Sequence, residues 1–320
     1  AGDGPNFTAC YKWIKETDSS RPVHYERAEL GSNTDIYCPM YLPYDACEKY
    51  LKNNPPMPLI QCEYAHAMGN AIGNLTEYWN IIESSNATAG GCIWDWVDQA
   101  IYDPQEMKKG QYRLHTGYDY PGPHQGNFCS NGVIPATRHE SAKLKEVKAA
   151  YQHIKFDGME KNVDKNTVTV KIRNAYSFLN LESMKLNYDV LKNGYVVATK
   201  SVNLPNTLPG ATLTLKLPKV KLRKAEAAGE EVMLNLRVAF RDAQLYAEAG
   251  HEVAHKQYEL VARAALPAIK ADAKAPQMMS TGAMHETKVG NSRVQLTFDN
   301  ETAQLTGLAF NGRNIIADGQ

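Results

Sequence analysis

Two short stretches carry the residues best suited to chemistry. "PLIQCEYAHAMGN" (Pro58 to Asn70) closes an apolar run on Glu63 and His66, and "GGCIWDWVDQ" sets Asp95 between Trp94 and Trp96. Placed at the C-terminal ends of parallel strands, these residues would share one rim with Glu26, Tyr41, Tyr64 and Asp98. Aromatic faces beside carboxylates suit sugars: rings stack on the apolar C–H faces, while acids handle hydroxyls and the glycosidic bond. Cleaving that bond takes two carboxylates with divergent roles, one nucleophile or base and one proton donor.

Each residue also has a plainer role. A strand-end glutamate serves as a cap or ion-pair partner, and a lone histidine as a satisfied core residue. Trp94 and Trp96 alternate across their strand, so at least one is expected in the core. Glu63-x-x-His66 matches the half-motif of carboxylate-bridged di-iron bundles. Glu248-x-x-His251 and Glu252-x-x-His255 match it equally. That motif needs a helix, whereas the run before Glu63 is strand-like.

The elements that must position these residues alternate over the first 150 residues. Phe7, Cys10, Tyr11 and Ile14 fall at helical spacing within Asn6–Glu16, with Asn6 as cap. Pro22–Glu26, Asp35–Tyr41, Leu59–Tyr64 and Gly91–Val97 read as short strands, with helices over Tyr44–Leu51 and Gly69–Glu83. This alternation predicts a parallel sheet with right-handed crossovers. Without a Gly-rich dinucleotide fingerprint, half of a TIM (β/α)8 barrel fits better than a nucleotide-binding sheet.

From Lys155 to Leu260 the period becomes two. Thr167–Ile172, Lys185–Leu191, Ala211–Leu217 and Glu231–Phe240 alternate, and Asn193-Gly194 marks a two-residue hairpin. An antiparallel β-sandwich follows. Residues 264–285 read as a linker, and further strands run to Gln320. The fold class is multidomain, α/β plus all-β.

Lys+Arg and Asp+Glu both number 35, so no net field recruits nucleic acid or an anionic membrane. The basic cluster at 219–224 lacks interleaved aromatics and reads as a solvated strand end. No apolar run approaches the roughly 20 residues a membrane span needs. The six cysteines contain no Cys-x-x-Cys pair. Cys38, Cys62 and Cys92 sit in apolar runs and read as buried free thiols.

The two opening stretches closely resemble the large multi-domain β-galactosidases of glycoside hydrolase family 2. The likeness continues through "RPVHYE", "DIYCPMY", "NFCSNG" and "EVKAAYQ" and weakens beyond Gln152. It implies the second half of the catalytic barrel over 1–152 and an immunoglobulin-like sandwich over 153–263. A linker over 264–285 and the truncated start of a C-terminal β-domain over 286–320 would follow. Glu63 would be the retaining nucleophile and Tyr41 the phenol that contacts it. His66 would bind sugar hydroxyls, and Trp94 would form the floor beneath the galactose. Phe128, through its carbonyl, and Asn131, through its amide oxygen, would hold a sodium ion that helps bind the galactose, making Asn131 a substrate-binding residue as well. Magnesium ligands would lie outside this chain.

Two departures shape the expectation. Gln125 stands where the family usually has an acidic residue. "AGDG" resembles the segment that follows the Gly-Asn-Glu of the acid/base glutamate, which is therefore expected just ahead of Ala1, and the chain alone is expected to be inactive. The resemblance further implies a β-galactoside as substrate, a homo-oligomer, and a bacterial cytoplasmic or periplasmic location. Another family 2 β-glycosidase (β-glucuronidase or β-mannosidase) is the nearest alternative. A non-catalytic sugar-binding or structural piece is the alternative from a different class.

Overall fold

Asp35 ties the first helix to the sheet. α1 (Pro5–Thr17) begins with Pro5 at a position where its fixed φ suits a helix and its missing N–H costs nothing. Gly4 is the N-cap, so Asn6 lies inside the helix rather than capping it. From α1, Tyr11 Oη and Lys15 Nζ donate to the Asp35 carboxylate at 2.6 and 2.9 Å, and Val23 N does so at 2.8 Å. Pro22–Glu26 forms no strand. Its only sheet-like bond runs from Asp35 N to Val23 O (2.7 Å), and Glu26–Ala28 turns into a short 3-10 helix.

The computed structural model describes residues 2–162, 165–218, 220, 229–263, 265–266, 268, 274 and 276–316. It divides into two units, Ala1–Arg263 and Ala264–Gln320.

In the first unit, α2 (Tyr44–Lys52), α3 (Leu75–Glu83), α4 (Pro104–Lys108) and α5 (Ala142–Tyr151) accompany short strands. β1 (Leu59–Tyr64) pairs in parallel with β2 (Thr88–Ile93) on one side. On its other side run residues 35–41, through Ile60 N to Tyr37 O (3.0 Å), Cys62 N to Pro39 O (3.1 Å) and Tyr41 N to Glu63 O (2.8 Å). Pro39 has no N–H, which limits this pairing to isolated bridges at Tyr37 and Met40. After β2, residues 95–98 pair with 131–134, through Asp95 N to Asn131 O and Val133 N to Asp95 O, both 2.9 Å.

Helices cover the outer face of this layer. Leu59 packs with Cys47 and Ile81, while Tyr64 packs with Leu75, Ile82, Val133, Val147 and Ala150. The register of β1 shifts between Gln61 and Tyr64. Alternation alone would put Glu63 on the face of Leu59 and Gln61. The shift gives that place to Tyr64 and turns Glu63 away from the helices.

The helix expected from Gly69 starts only at Leu75. Gly69, Ile72 and Asn74 all have positive φ (63°, 74° and 60°), which breaks a right-handed helix. β3 (Ile101–Tyr102) and β4 (Leu114–His115) form a small hairpin around α4, whose N-cap Asp103 accepts from Gln105 N and Glu106 N.

Seven strands among the described residues then build a sandwich. β5 (Ile154–Asn162), β6 (Thr167–Asn174) and β9 (Thr212–Leu217) form one antiparallel sheet; β7 (Met184–Lys192), β8 (Tyr195–Asn203), β10 (Val232–Phe240) and β11 (Glu252–Val261) form the other, in the order β11-β10-β7-β8. Ile154, Val168, Val170 and Ile172 from the first meet Leu186, Tyr188, Leu234, Leu236 and Val238 from the second in one core. The β7–β8 turn is Asn193-Gly194 with φ of 49° and 83°, the left-handed pair a two-residue hairpin requires.

The second unit, taken by itself, is an antiparallel sheet of β12 (Met279–Gly282), β13 (Glu286–Gly290), β14 (Val294–Asp299), β15 (Leu305–Phe310) and β16 (Arg313–Asn314) in chain order. β12 falls inside the stretch read as a linker. Residues 264, 267, 269–273 and 275 of that stretch lie outside the described residues, as does the basic cluster at 219–224 apart from Val220.

Two tests follow. Leu234→Ala, at a fully buried position, is expected to destabilise the sandwich by about 2–5 kcal/mol in urea unfolding. For Asp35, burial pushes the carboxyl pKa up, but the bonds from Tyr11, Val23 and Lys15 outweigh it and hold the carboxyl below its ordinary value of 3.8. A lowered pKa stabilises the fold above 3.8 and is lost as pH falls through the depressed value. Asp35→Asn should therefore lower stability near neutrality, with the gap to wild type closing in acid.

Candidate active site

Glu63 sits at the end of β1, where the register shift presents it to Tyr41. The Tyr41 phenol neighbours the Glu63 carboxylate; burial first, and then the interaction with Glu63, push it well above its usual range. Tyr41 therefore stays protonated. Its backbone is left-handed (φ 49°), and its N–H is already committed to Glu63 O, so backbone and side chain both address the same glutamate.

The aromatic rim continues from there. The Tyr41 and His66 rings lie 6.0 Å apart, and His66 stacks on Phe128 at 5.6 Å with planes 27° apart. Ala65, at φ 50°, makes the turn that carries His66 off the end of β1. The next residue is held: Ala67 N donates to Trp94 O at 2.8 Å, and Trp94 N donates to Tyr64 O at 3.1 Å. Trp94 is thus anchored by its backbone beside β1, with 37% of its surface exposed.

Trp96 is 56% exposed, so neither tryptophan is core. The alternation argument fails because β2 ends at Ile93, before either of them. Tyr64 also departs from expectation: it is buried, and its hydroxyl is paired with that of Tyr151 on the helix side. Asp98 is a latch rather than an open acid, its carboxylate accepting from Gly132 N at 2.7 Å.

Asn131 is 3% exposed. Its Nδ2 donates to Phe128 O at 2.6 Å, while its Oδ1 is buried with no hydrogen-bond partner. An orphaned amide oxygen beside a backbone carbonyl is the donor set a hard cation takes, so these residues fit a sodium ion. Asp95 Oδ1 is likewise buried and unpaired, while Oδ2 accepts from Gln99 Nε2 at 2.6 Å. Gln125 is exposed, and only its carbonyl approaches this segment, accepting from Phe128 N at 3.1 Å. Among the described residues, no group of three or more His, Cys, Asp or Glu side chains is arranged to hold a metal.

The six cysteines are free thiols. Cys38 is buried, and burial first, then the neighbouring Cys62, push its pKa up to about 12. Cys62 is only partly buried and Cys92 is exposed, against expectation. No helix among the described residues is long and apolar enough to cross a membrane.

Gly132 is a residue that sequence reasoning did not single out. A Cβ there would lie 2.1 Å from Asp98 N and 2.4 Å from Ile134 O, so only glycine lets the 131–134 segment pair this closely.

The parallel layer and the sandwich have counterparts in one family. Residues 1–156 match the TIM barrel domain of glycosyl hydrolases family 2, and the chain belongs to that family. Residues 170–261 match domain 4 of β-galactosidase. The chain is 35% identical to a β-galactosidase of Priestia megaterium, over 99% of this chain and 30% of that protein. It is 32% identical to β-galactosidase 2 of Enterobacter cloacae (98% and 30%) and 34% identical to a β-galactosidase of Pseudoalteromonas haloplanktis (81% and 26%). The chain thus spans under a third of the length of these relatives.

Gly132→Ala should force the 131–134 segment away from 95–98. The expected result is a loss of about 1–3 kcal/mol in thermal or urea unfolding. Wild-type stability would show that the segment packs less tightly than the structure has it.

Proposed function

We propose that the longer protein containing this chain is a retaining β-galactosidase, with Glu63 as its nucleophile. The observation that carries the reading is Glu63 at the end of β1 beside Tyr41, whose backbone N–H donates to Glu63 O at 2.8 Å, in a chain of glycosyl hydrolase family 2.

The chemistry runs in two displacements. The Glu63 carboxylate attacks the anomeric carbon, the glycosidic bond breaks, and the leaving oxygen takes a proton from a second glutamate. A covalent galactosyl ester forms on Glu63. Water then attacks the same carbon, gives its proton to the second glutamate, and releases Glu63 as a carboxylate. In this reading the second glutamate belongs to the Gly-Asn-Glu expected ahead of "AGDG". Tyr41, beside Glu63, would hold the carboxylate in its attacking orientation. His66 binds sugar hydroxyls, and Trp94 offers its face to the apolar side of the ring.

Phe128 O and Asn131 Oδ1 would hold a sodium ion, whose positive charge would draw a galactose hydroxyl towards the rim. Magnesium would be bound by residues outside this chain, and no step here depends on it. By the same likeness, the longer protein is proposed to be a homo-oligomer of the bacterial cytoplasm or periplasm. The domain divisions at 152, 263 and 285 stand as part of this proposal.

The reading is tested with the full-length protein on a panel of 4-nitrophenyl β-glycosides. Preference for the galactoside is expected; preference for the glucuronide or mannoside replaces the substrate, and no activity removes the enzyme reading. Glu63→Ala should lower kcat by a factor of at least about 10⁴. Added azide should restore turnover by taking the place of the carboxylate, yielding α-galactosyl azide. Wild-type activity in Glu63→Ala would overturn the assignment.

A further inference from the structure

Lys143, in the first turn of α5, donates through Nζ to two backbone carbonyls at once: Ala67 O and Gly132 O, each at 2.6 Å. Each carbonyl lies one residue after a proposed sugar contact, His66 in one case and Asn131 in the other. The two segments come from different parts of the layer, one leaving β1 and the other pairing with 95–98. An ammonium is a compact donor with three N–H groups and no acceptor, so it can serve two converging carbonyls from one point. Charge-assisted bonds of this kind are short, as these are.

The neighbouring contacts act in the same direction. Ser141 Oγ, at the N-cap of α5, donates to Val133 O at 2.5 Å, and it also caps the helix by accepting from Leu144 N at 3.1 Å. Ala67 N is bonded to Trp94 O. The first turn of α5 therefore gathers the backbones beside His66, Trp94 and Asn131, whereas Glu63 is held separately by the pairing of β1.

We infer that Lys143 is a positioning residue that sets the spacing between His66 and Asn131, and so the fit of the sugar, without touching the sugar. The inference rests on the proposed function. Its signature is a split: loss of Lys143 weakens sugar binding more than it slows chemistry at Glu63.

The test uses the full-length protein with Lys143→Met and Lys143→Gln, the second keeping an amide with two donors. Three quantities are read: KM and kcat on 4-nitrophenyl β-galactoside, the Kd for isopropyl 1-thio-β-galactoside by calorimetry, and the thermal midpoint. K143M is expected to raise KM and Kd about tenfold while kcat stays within about threefold. K143Q should raise them about threefold, since it retains donors without the charge. Should K143M fail to fold, K143Q decides alone. Wild-type Kd in the folded variants overturns the inference, whatever their thermal midpoints. A wild-type protein inactive on galactosides overturns the functional reading and this inference with it. An active wild type with unchanged variants overturns the inference alone.

Discussion

The slip in register between Gln61 and Tyr64 decides where Glu63 points, and the rest of the site depends on it. Under strict alternation Glu63 would follow Leu59 and Gln61 into the layer between sheet and helices. A carboxylate there would face the apolar Cys47, Ile81 and Leu75, at a cost of several kcal/mol. The slip instead sends Tyr64 into that layer, where its ring packs against Tyr78 and its hydroxyl finds Tyr151. The same slip leaves Glu63 facing Tyr41. One irregularity thus fills the core with an aromatic and frees an acid for chemistry.

Order extends outward from this point through backbone bonds. Tyr41 N is held by Glu63 O, Trp94 N by Tyr64 O, and Asp95 N by Asn131 O, so each candidate residue inherits its place from a neighbouring strand. The helix layer is in turn fixed to the sandwich. Lys155 pairs with Glu83 of α3 at 2.9 Å, and His255 N of β11 donates to Gln152 Oε1 at 3.0 Å just beyond α5. The sandwich therefore braces the side of the layer from which α5 reaches the rim.

Much of this was legible in the residues themselves. Leu59–Tyr64 reads as a strand because it is a short apolar run behind a proline, and the β7–β8 hairpin because Asn193-Gly194 tolerates the left-handed backbone its turn demands. The motif residues Tyr41, Glu63, His66 and Phe128 come together as a group. What was hidden depends on partners distant in sequence. The small residues after His66 look like a helix start, yet positive φ at Gly69, Ile72 and Asn74 delays the helix. The faces of Tyr64, Trp94 and Trp96 cannot be read by counting residues, because one strand slips and the other ends early. Gly132 closes the motif "NFCSNG" with no side chain to mark it, and Lys143 lies in no motif. Their importance lies in a contact with Asp98 and in two carbonyls that only the folded chain brings near.

The central claim is that the slipped strand delivers Glu63 as the group that bonds covalently to the sugar. The most direct measurement is to treat the full-length protein with 2-deoxy-2-fluoro-β-galactosyl fluoride and map the labelled peptide by mass spectrometry. A fluorogalactosyl ester on Glu63 is the predicted result. A label on any other residue, with Glu63 unmodified in the inactivated protein, would contradict it.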